Sequence, residues 1–211
     1  RTVSLDVVRD GRTLGRVTLP IPGEHNAENA LAAMALATEA FGVGFDSARE
    51  ALASYHGLEN RFTIVDVEGR GVTLVKDYLS HPTGMRKVLR AARRLADLDR
   101  GGRLLAVYKP YRFTLLSYLG GEYAEAFEEA DHVLLTDLYS GGEAPIEGID
   151  DDYLPNTCRA RGLPTTHVRD TGDIPRFLNE WLRPGDAVAL FGGDDFFRMA
   201  DAWASDDGSG G

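Results

Sequence analysis

His25, Asn26 and Asn29 follow Pro22 and Gly23 at the point where a strand-like run over residues 16–21 gives way to an alanine-rich run over 30–41. Leu31, Met34, Thr38 and Phe41 recur at helical spacing, which predicts a helix starting at His25 and Asn26. A helix start presents backbone N–H groups without internal partners and the positive end of the helix dipole, a place that favours anions and polar ligands. Asn26 and Asn29 share one helical face, and a carboxamide offers a donor beside an acceptor, as the N6 and N7 edge of adenine requires. Two readings stand: a nucleotide contact, or Asn26 as a plain helix cap with His25 packed beside it.

Further residues of this kind fall where strands should end. Asp77, Tyr78, His81, Pro82 and Thr83 close one run and open a helix. An imidazole changes charge near neutral pH as a class, so His81 could serve as a base or orient a carboxylate, or be structural only. Arg61 could reach phosphates or solvate a loop. Lys109, Tyr111 and Arg112 could hold an anionic substrate through an ammonium and a guanidinium fork, or form a solvated loop. Gly192, Gly193, Asp194 and Asp195 form a strand-to-helix turn without a full dinucleotide fingerprint, and the Gly-x-x-x-x-Gly-Lys-Ser/Thr phosphate cradle is absent from the sequence. The acidic run 150–152 reads as a helix cap and solvated face, and Trp181 and Trp203 as sheet-facing residues.

These positions need elements to hold them. Residues 3–9 and 13–21 alternate around Asp10-Gly11, a strong hairpin signal. A second helix is expected from Asp46, capped by Asp46 or Ser47, with Ala48, Ala51, Leu52 and Tyr55 on one face and Gly57 ending it. A hairpin pattern over 62–67 and 72–75 opens a new region. There helices near 83–97, 115–129, 150–161, 174–182 and from about Asp195 alternate with strands 104–108, 132–136, 165–168 and 187–191. The expected fold is α/β: a Rossmann-like, mostly parallel sheet with helices on both faces, preceded by a hairpin and two helices. Ligands gather at the carboxyl ends of such strands, here residues 77–83, 109–114, 137–143 and 192–195.

With 211 residues and 43% hydrophobic content the chain can build a real core. Its net charge of −10 disfavours nucleic acid and anionic membrane surfaces as partners. Cys158 is the single cysteine, so no disulfide or thiolate metal site within the chain is expected, and no metal ligands are assigned. No apolar run approaches membrane-spanning length and no leader pattern opens the sequence, which predicts a cytoplasmic protein. Arg1 opens directly into an alternating run, so the sequence reads as a fragment of a longer protein.

Taken together, several groups of residues resemble the Mur ligases, and among them the branch that adds L-alanine. They are Pro22 and Gly23 with His25, Asn26 and Asn29; Asn60, Arg61 and Phe62; Asp77 and Tyr78 with His81, Pro82 and Thr83; Pro110 with Arg112, Phe113 and Thr114; and Gly142 and Glu143 with Pro145, Ile146 and Gly148. The resemblance implies an ATP-dependent ligase of peptidoglycan synthesis that joins an amino acid to UDP-N-acetylmuramate through an acyl phosphate. Residues 1–57 would then be the end of a central ATP-binding domain, 58–204 a complete C-terminal Rossmann-like domain and 205–211 a disordered tail. The phosphate loop, the Mg2+ ligands and the UDP-sugar domain would lie upstream, and the fragment alone would be inactive. His25, Asn26 and Asn29 would meet the adenine side of ATP, and Arg61 and Asp77 its ribose and phosphates. Arg61, Asp77 and His81 would carry catalysis, while Tyr78, His81, Lys109, Tyr111, Arg112 and Glu143 would bind substrate.

Departures from that pattern are expected to matter. Ser80 stands where the resemblance implies a first histidine of a pair and Gly84 where it implies an acid. Lys109, Tyr111, Leu115 and Leu116 replace the usual residues after the strand, so an altered acceptor is one expectation. A noncatalytic nucleotide- or peptide-binding module is another. A nicotinamide dehydrogenase would need an early Gly-x-Gly-x-x-Gly that the sequence lacks.

Overall fold

The computed structural model describes residues 2–67, 69–96 and 101–206. Asp97 of the expected basic helix and residues 207–211 of the expected tail lie outside them. The chain divides into two compact units, Arg1–Leu58 and Glu59–Gly211.

In the first unit, β1 (Val3–Arg9) and β2 (Arg12–Leu19) pair antiparallel. Asp10 and Gly11 both have positive φ, as the tight turn that matches strand twist demands. Helices α1 (Glu24–Phe41) and α2 (Phe45–Ala53) follow. A small core of Val7, Val17, Met34 and Ala48 joins the ribbon to both helices. Of the expected stripe on α1 only Met34 is buried. Leu31 is 44% and Phe41 74% exposed, because a two-stranded ribbon and one short helix cover only a narrow line of an 18-residue helix. The caps also differ from expectation. Gly23, not Asn26, is the N-cap of α1, and Gly44, not Asp46 or Ser47, that of α2. Asp46 pairs instead with Arg49 one turn on, at 2.9 Å. Helix α2 stops at Ala53, before Gly57.

The second unit holds β3 (Thr63–Val67), β4 (Val72–Asp77), α3 (Pro82–Arg93), β5 (Leu104–Tyr108), α4 (Phe113–Phe127), β6 (His132–Thr136), α5 (Tyr153–Ala160), β7 (Thr165–Val168), α6 (Ile174–Trp181), β8 (Ala187–Phe191) and α7 (Asp194–Ser205). Ser205, assigned to the tail by sequence, closes this last helix. Among the described residues the sheet runs β3-β4-β8-β5-β6-β7, with β3 alone antiparallel to its neighbour. Fully buried strands alternate between two cores. Leu104, Ala106 and Tyr108 face the α3, α4 and α5 side, with Met85, Leu89, Phe127 and Leu154. Leu105 and Val107 face the α6 and α7 side, with Leu178, Phe196 and Trp203. Trp203 is buried, whereas Trp181 is partly covered and carries the Arg103 guanidinium 3.7 Å above its ring.

Candidate functional site

The strand ends meet the site residues in the second unit. Beyond the carboxyl ends of β4, β5 and β8 lies a cavity of about 480 Å³. Tyr78, Leu79 and Ser80 line it after β4, Tyr108, Lys109 and Tyr111 at the end of β5, and Gly192, Gly193 and Asp195 after β8, while Tyr139 closes it from the loop after β6. This is where parallel α/β sheets place ligands, since helix starts and loop side chains converge there.

Lys109 donates to Asp195 Oδ2 at 2.7 Å and lies 5.3 Å from the Tyr139 ring centre. The hydrogen bond from Lys109 holds the Asp195 carboxyl below its ordinary value. Tyr78 stands edge-on to Phe197 with ring centres 4.9 Å apart, and Tyr111 stacks on Tyr139 at 5.7 Å. Tyr108 and Tyr123 stack at 5.4 Å, and burial pushes both phenols up. Tyr123 donates to Ser80 O.

Arg112 caps α4 at φ +65, and its N–H donates to Tyr139 O at 2.8 Å while Tyr139 N–H donates to Pro110 O at 2.9 Å, so two backbone hydrogen bonds tie the β5 and β6 loops together. Its guanidinium sits over Tyr111 and 3.9 Å from Glu143. Glu143 accepts from Thr114 N at 3.0 Å and Thr114 Oγ1 at 2.7 Å, and these two bonds, led by the backbone one, hold its carboxyl below the usual glutamate range. The N-terminus of α4 therefore already carries an internal anion.

The loop after β6 is anchored from behind by a cluster that sequence reasoning missed. His167 lies 2.8 Å from Asp137 Oδ1 and 3.1 Å from Asp152 Oδ1, and Arg169 reaches Asp152 at 3.0 Å. Asp151 accepts from Leu138 N at 2.8 Å. The acidic run 150–152 thus supplies the expected helix cap, Asp152 being the N-cap of α5, and in addition organises a loop. No sequence signal joins residues 137, 152 and 167, which meet only through the pairing of β6 and β7.

The expected residues divide into three groups. Tyr78, Lys109 and Tyr111 line the cavity. His81, Arg112 and Glu143 stand at helix starts around it: His81 caps α3, its Nδ1 accepting from Thr83 N at 3.3 Å. Asp77 is 2% exposed, and its two oxygens accept from Phe62 N and Leu79 N, both at 2.9 Å. These two bonds form a backbone clamp. Asp77 thereby fixes the turn that presents exposed Arg61 between Asn60 and Phe62, two residues with positive φ. In the first unit, Asn26 donates to Pro22 O at 2.7 Å, and a side chain at Gly23 would strike the His25 ring at 2.6 Å. Asn29 is exposed. Asn29 and Arg61 are thus exposed, whereas the Asp77 oxygens are engaged by backbone N–H groups.

Leu116 belongs to the core and, like Leu115, stands outside the cavity lining, whereas Asp195 and Tyr139, placed by sequence in the expected ligand loops but given no site role, contribute directly. Burial raises the Cys158 thiol to about 12, so it is inert packing. Among the described residues there is no group of three or more His, Cys, Asp or Glu side chains placed to hold a metal ion, and no helix long and apolar enough to cross a membrane.

Comparison with known proteins agrees with this geometry. The chain is 42% identical over 202 residues to the UDP-N-acetylmuramate–L-alanine ligase of Symbiobacterium thermophilum, covering 94% of this chain and 40% of that protein. It is 39% identical over 189 residues to the ligase of the same name from Jannaschia sp., covering 89% and 38%. The chain thus spans about two fifths of the length of these relatives. Among solved structures, UDP-N-acetylmuramate–alanine ligase of Thermotoga maritima superposes with a TM-score of 0.77 at 20% identity, over 99% of this chain and 43% of that one. The MurF ligase of the same organism, in complex with ADP, superposes with a TM-score of 0.66 at 17% identity over 98% and 47%. Both show the shared fold. The family description "Mur ligase, glutamate ligase domain" matches residues 60–193, a span that includes the cavity lining apart from Asp195, and the chain therefore belongs to the Mur ligase family.

Proposed function

We propose that the chain is part of an ATP-dependent carboxylate–amine ligase of peptidoglycan synthesis acting in the cytoplasm. Residues 1–57 are the end of its ATP-binding domain and residues 58–204 its C-terminal domain. The phosphate loop, Mg2+ ligands and UDP-sugar domain then belong to other parts of the protein. The observation that carries this reading is the cavity at the sheet's carboxyl end, walled by tyrosines and a Lys109–Asp195 pair, within a Mur ligase domain.

In the proposed reaction a carboxylate oxygen of UDP-N-acetylmuramate attacks the γ-phosphorus of ATP and ADP leaves. The amino acid's amine then attacks the acyl carbon, the bond from that carbon to the phosphate oxygen breaks with its electron pair leaving on inorganic phosphate, and the amine's proton passes to a base. This chain contributes acceptor binding: the Lys109 ammonium suits the amino acid's carboxylate, and the tyrosine walls exclude water from the reactive acyl group. Arg61, presented by the Asp77 clamp, suits negative charge developing on the transferred phosphoryl group. Asn29 suits the adenine edge.

The test is phosphate release by the full-length protein given ATP, Mg2+, UDP-N-acetylmuramate and single amino acids. Amino-acid-dependent release, reduced about 100-fold or more in kcat by Arg61→Ala, is the expected result. Absence of release with every amino acid overturns the ligase reading and leaves a binding module.

A further inference from the structure

We propose that His167, in its imidazolium form, is a positioning residue that staples the two ends of the loop 138–151, and that loss of its proton loosens this wall of the cavity. The staple itself stands apart from the ligase reading, and its effect on turnover rests on that reading.

The loop leaves β6 at Asp137 and enters α5 at Asp152, and it carries Tyr139 and Glu143 between them. His167, on β7, touches both ends: Nε2 lies 2.8 Å from Asp137 Oδ1 and Nδ1 lies 3.1 Å from Asp152 Oδ1. Both partners are carboxylates, which accept hydrogen bonds and donate none. A neutral imidazole has a single N–H, so it serves one end of the loop and turns a ring lone pair on the other carboxylate. The imidazolium donates to both. A proton on Asp152 is disfavoured as the alternative: desolvation opposes its charge, but hydrogen bonds from Arg169 and His167 outweigh that and hold the carboxyl below its ordinary value. The His167 side chain is 6% exposed, so water is poorly placed to replace a lost partner.

The other charges around the ring are fixed or already engaged. Arg169 reaches Asp152 at 3.0 Å and Asp137 at 3.6 Å, and a guanidinium keeps its charge throughout the neutral range. Asp151 accepts from Leu138 N at 2.8 Å, Asp150 from Asp152 N at 3.1 Å and Asp170 from Gly172 N at 2.8 Å. Among these group types only an imidazole titrates between carboxylates and guanidinium. When the proton leaves, one end of the loop loses its donor, while the backbone bonds of Tyr139 to Pro110 and Arg112 persist. The loop therefore loosens without detaching from the cavity.

The experiment follows this chain by 15N NMR from about pH 5.5 to about 9, for the native sequence, His167→Gln and Asp152→Asn. Both His167 ring nitrogens should carry protons on the acid side. The Leu138 and Glu143 amides should shift with the midpoint of that ring, and their exchange protection should fall about 10-fold as the proton leaves. His167→Gln should abolish the step, and Asp152→Asn, whose amide offers the neutral ring a donor, should remove most of it. A ring that stays in one state throughout, a loop step at another midpoint, or a step that survives in His167→Gln each overturns the inference. Should His167→Gln not fold, an undiminished step in Asp152→Asn overturns it. In the full-length protein, His167→Gln should raise the amino acid's KM about 3- to 10-fold on the acid side of the midpoint, with kcat less affected and the two proteins converging on the alkaline side. Equal KM at every pH refutes the link from staple to cavity. Amino-acid-dependent phosphate release without the NMR step refutes the staple and keeps the ligase, and the NMR step without release from any amino acid does the reverse.

Discussion

Asp77 shows how one buried carboxylate can hold a turn. Its carboxylate joins the end of β4 to the Asn60–Phe62 turn, so Asp77→Ala leaves two backbone N–H groups, those of Phe62 and Leu79, buried without that acceptor. Urea denaturation should show a loss of roughly 2–5 kcal/mol, with Asp77→Asn losing less because one acceptor oxygen remains. Glu143 makes a different prediction, one of pH. Its folded carboxyl titrates below the ordinary 4.5 because the Thr114 N–H and hydroxyl favour the ionised form. A depressed folded value contributes stability that is fully present above about pH 4.5 and disappears as pH falls through the lower, folded value. The melting-temperature advantage of the native chain over Glu143→Gln should therefore be level above pH 4.5 and shrink below it. Residue types and strand-end positions made Tyr78, Lys109 and Tyr111 legible before any coordinates. The partner of Asp77 lies 15 residues away across a turn with two left-handed residues, which no spacing rule encodes.

At the scale of elements, adjacent glycines of α4 provide a matched pair. A methyl at Gly120 would lie 2.5 Å from the Tyr153 ring at the packing of α4 on α5, whereas one at Gly121 meets nothing within 4 Å. Gly120→Ala should destabilise the chain by about 1–3 kcal/mol, and Gly121→Ala should stabilise it by about 0.5–1 kcal/mol, both read by thermal or urea unfolding. The alternation of apolar strands and amphipathic helices disclosed the parallel sheet and its two covered faces. Helix caps were less legible: glycines start α1 and α2, although side chains with better capping propensity stand nearby. The spacing of Leu31 and Phe41 identified a helix but not its buried face, since burial depends on what lies opposite.

At the scale of the whole molecule, each compact unit carries its own buried cluster, three of whose four members in the first unit come from outside α2. A chain starting at Glu59 should therefore keep a single cooperative melting transition by circular dichroism, while substitution of Leu134, fully buried on the sheet's α6 and α7 face, by Ala should destabilise it by about 2–5 kcal/mol. The order of strands was not readable from periodicity. Strands β5, β6 and β8 carry much the same apolar signature, and only the crossovers decide that β8 sits between β4 and β5.

That placement has a temporal consequence during translation. The ribosome makes β8 last of the eight strands, yet β4 and β5 can be bridged only by it. Until residues 187–191 leave the exit tunnel, the nascent sheet has two sticky inner edges and no middle, so chaperone demand should peak just before they emerge.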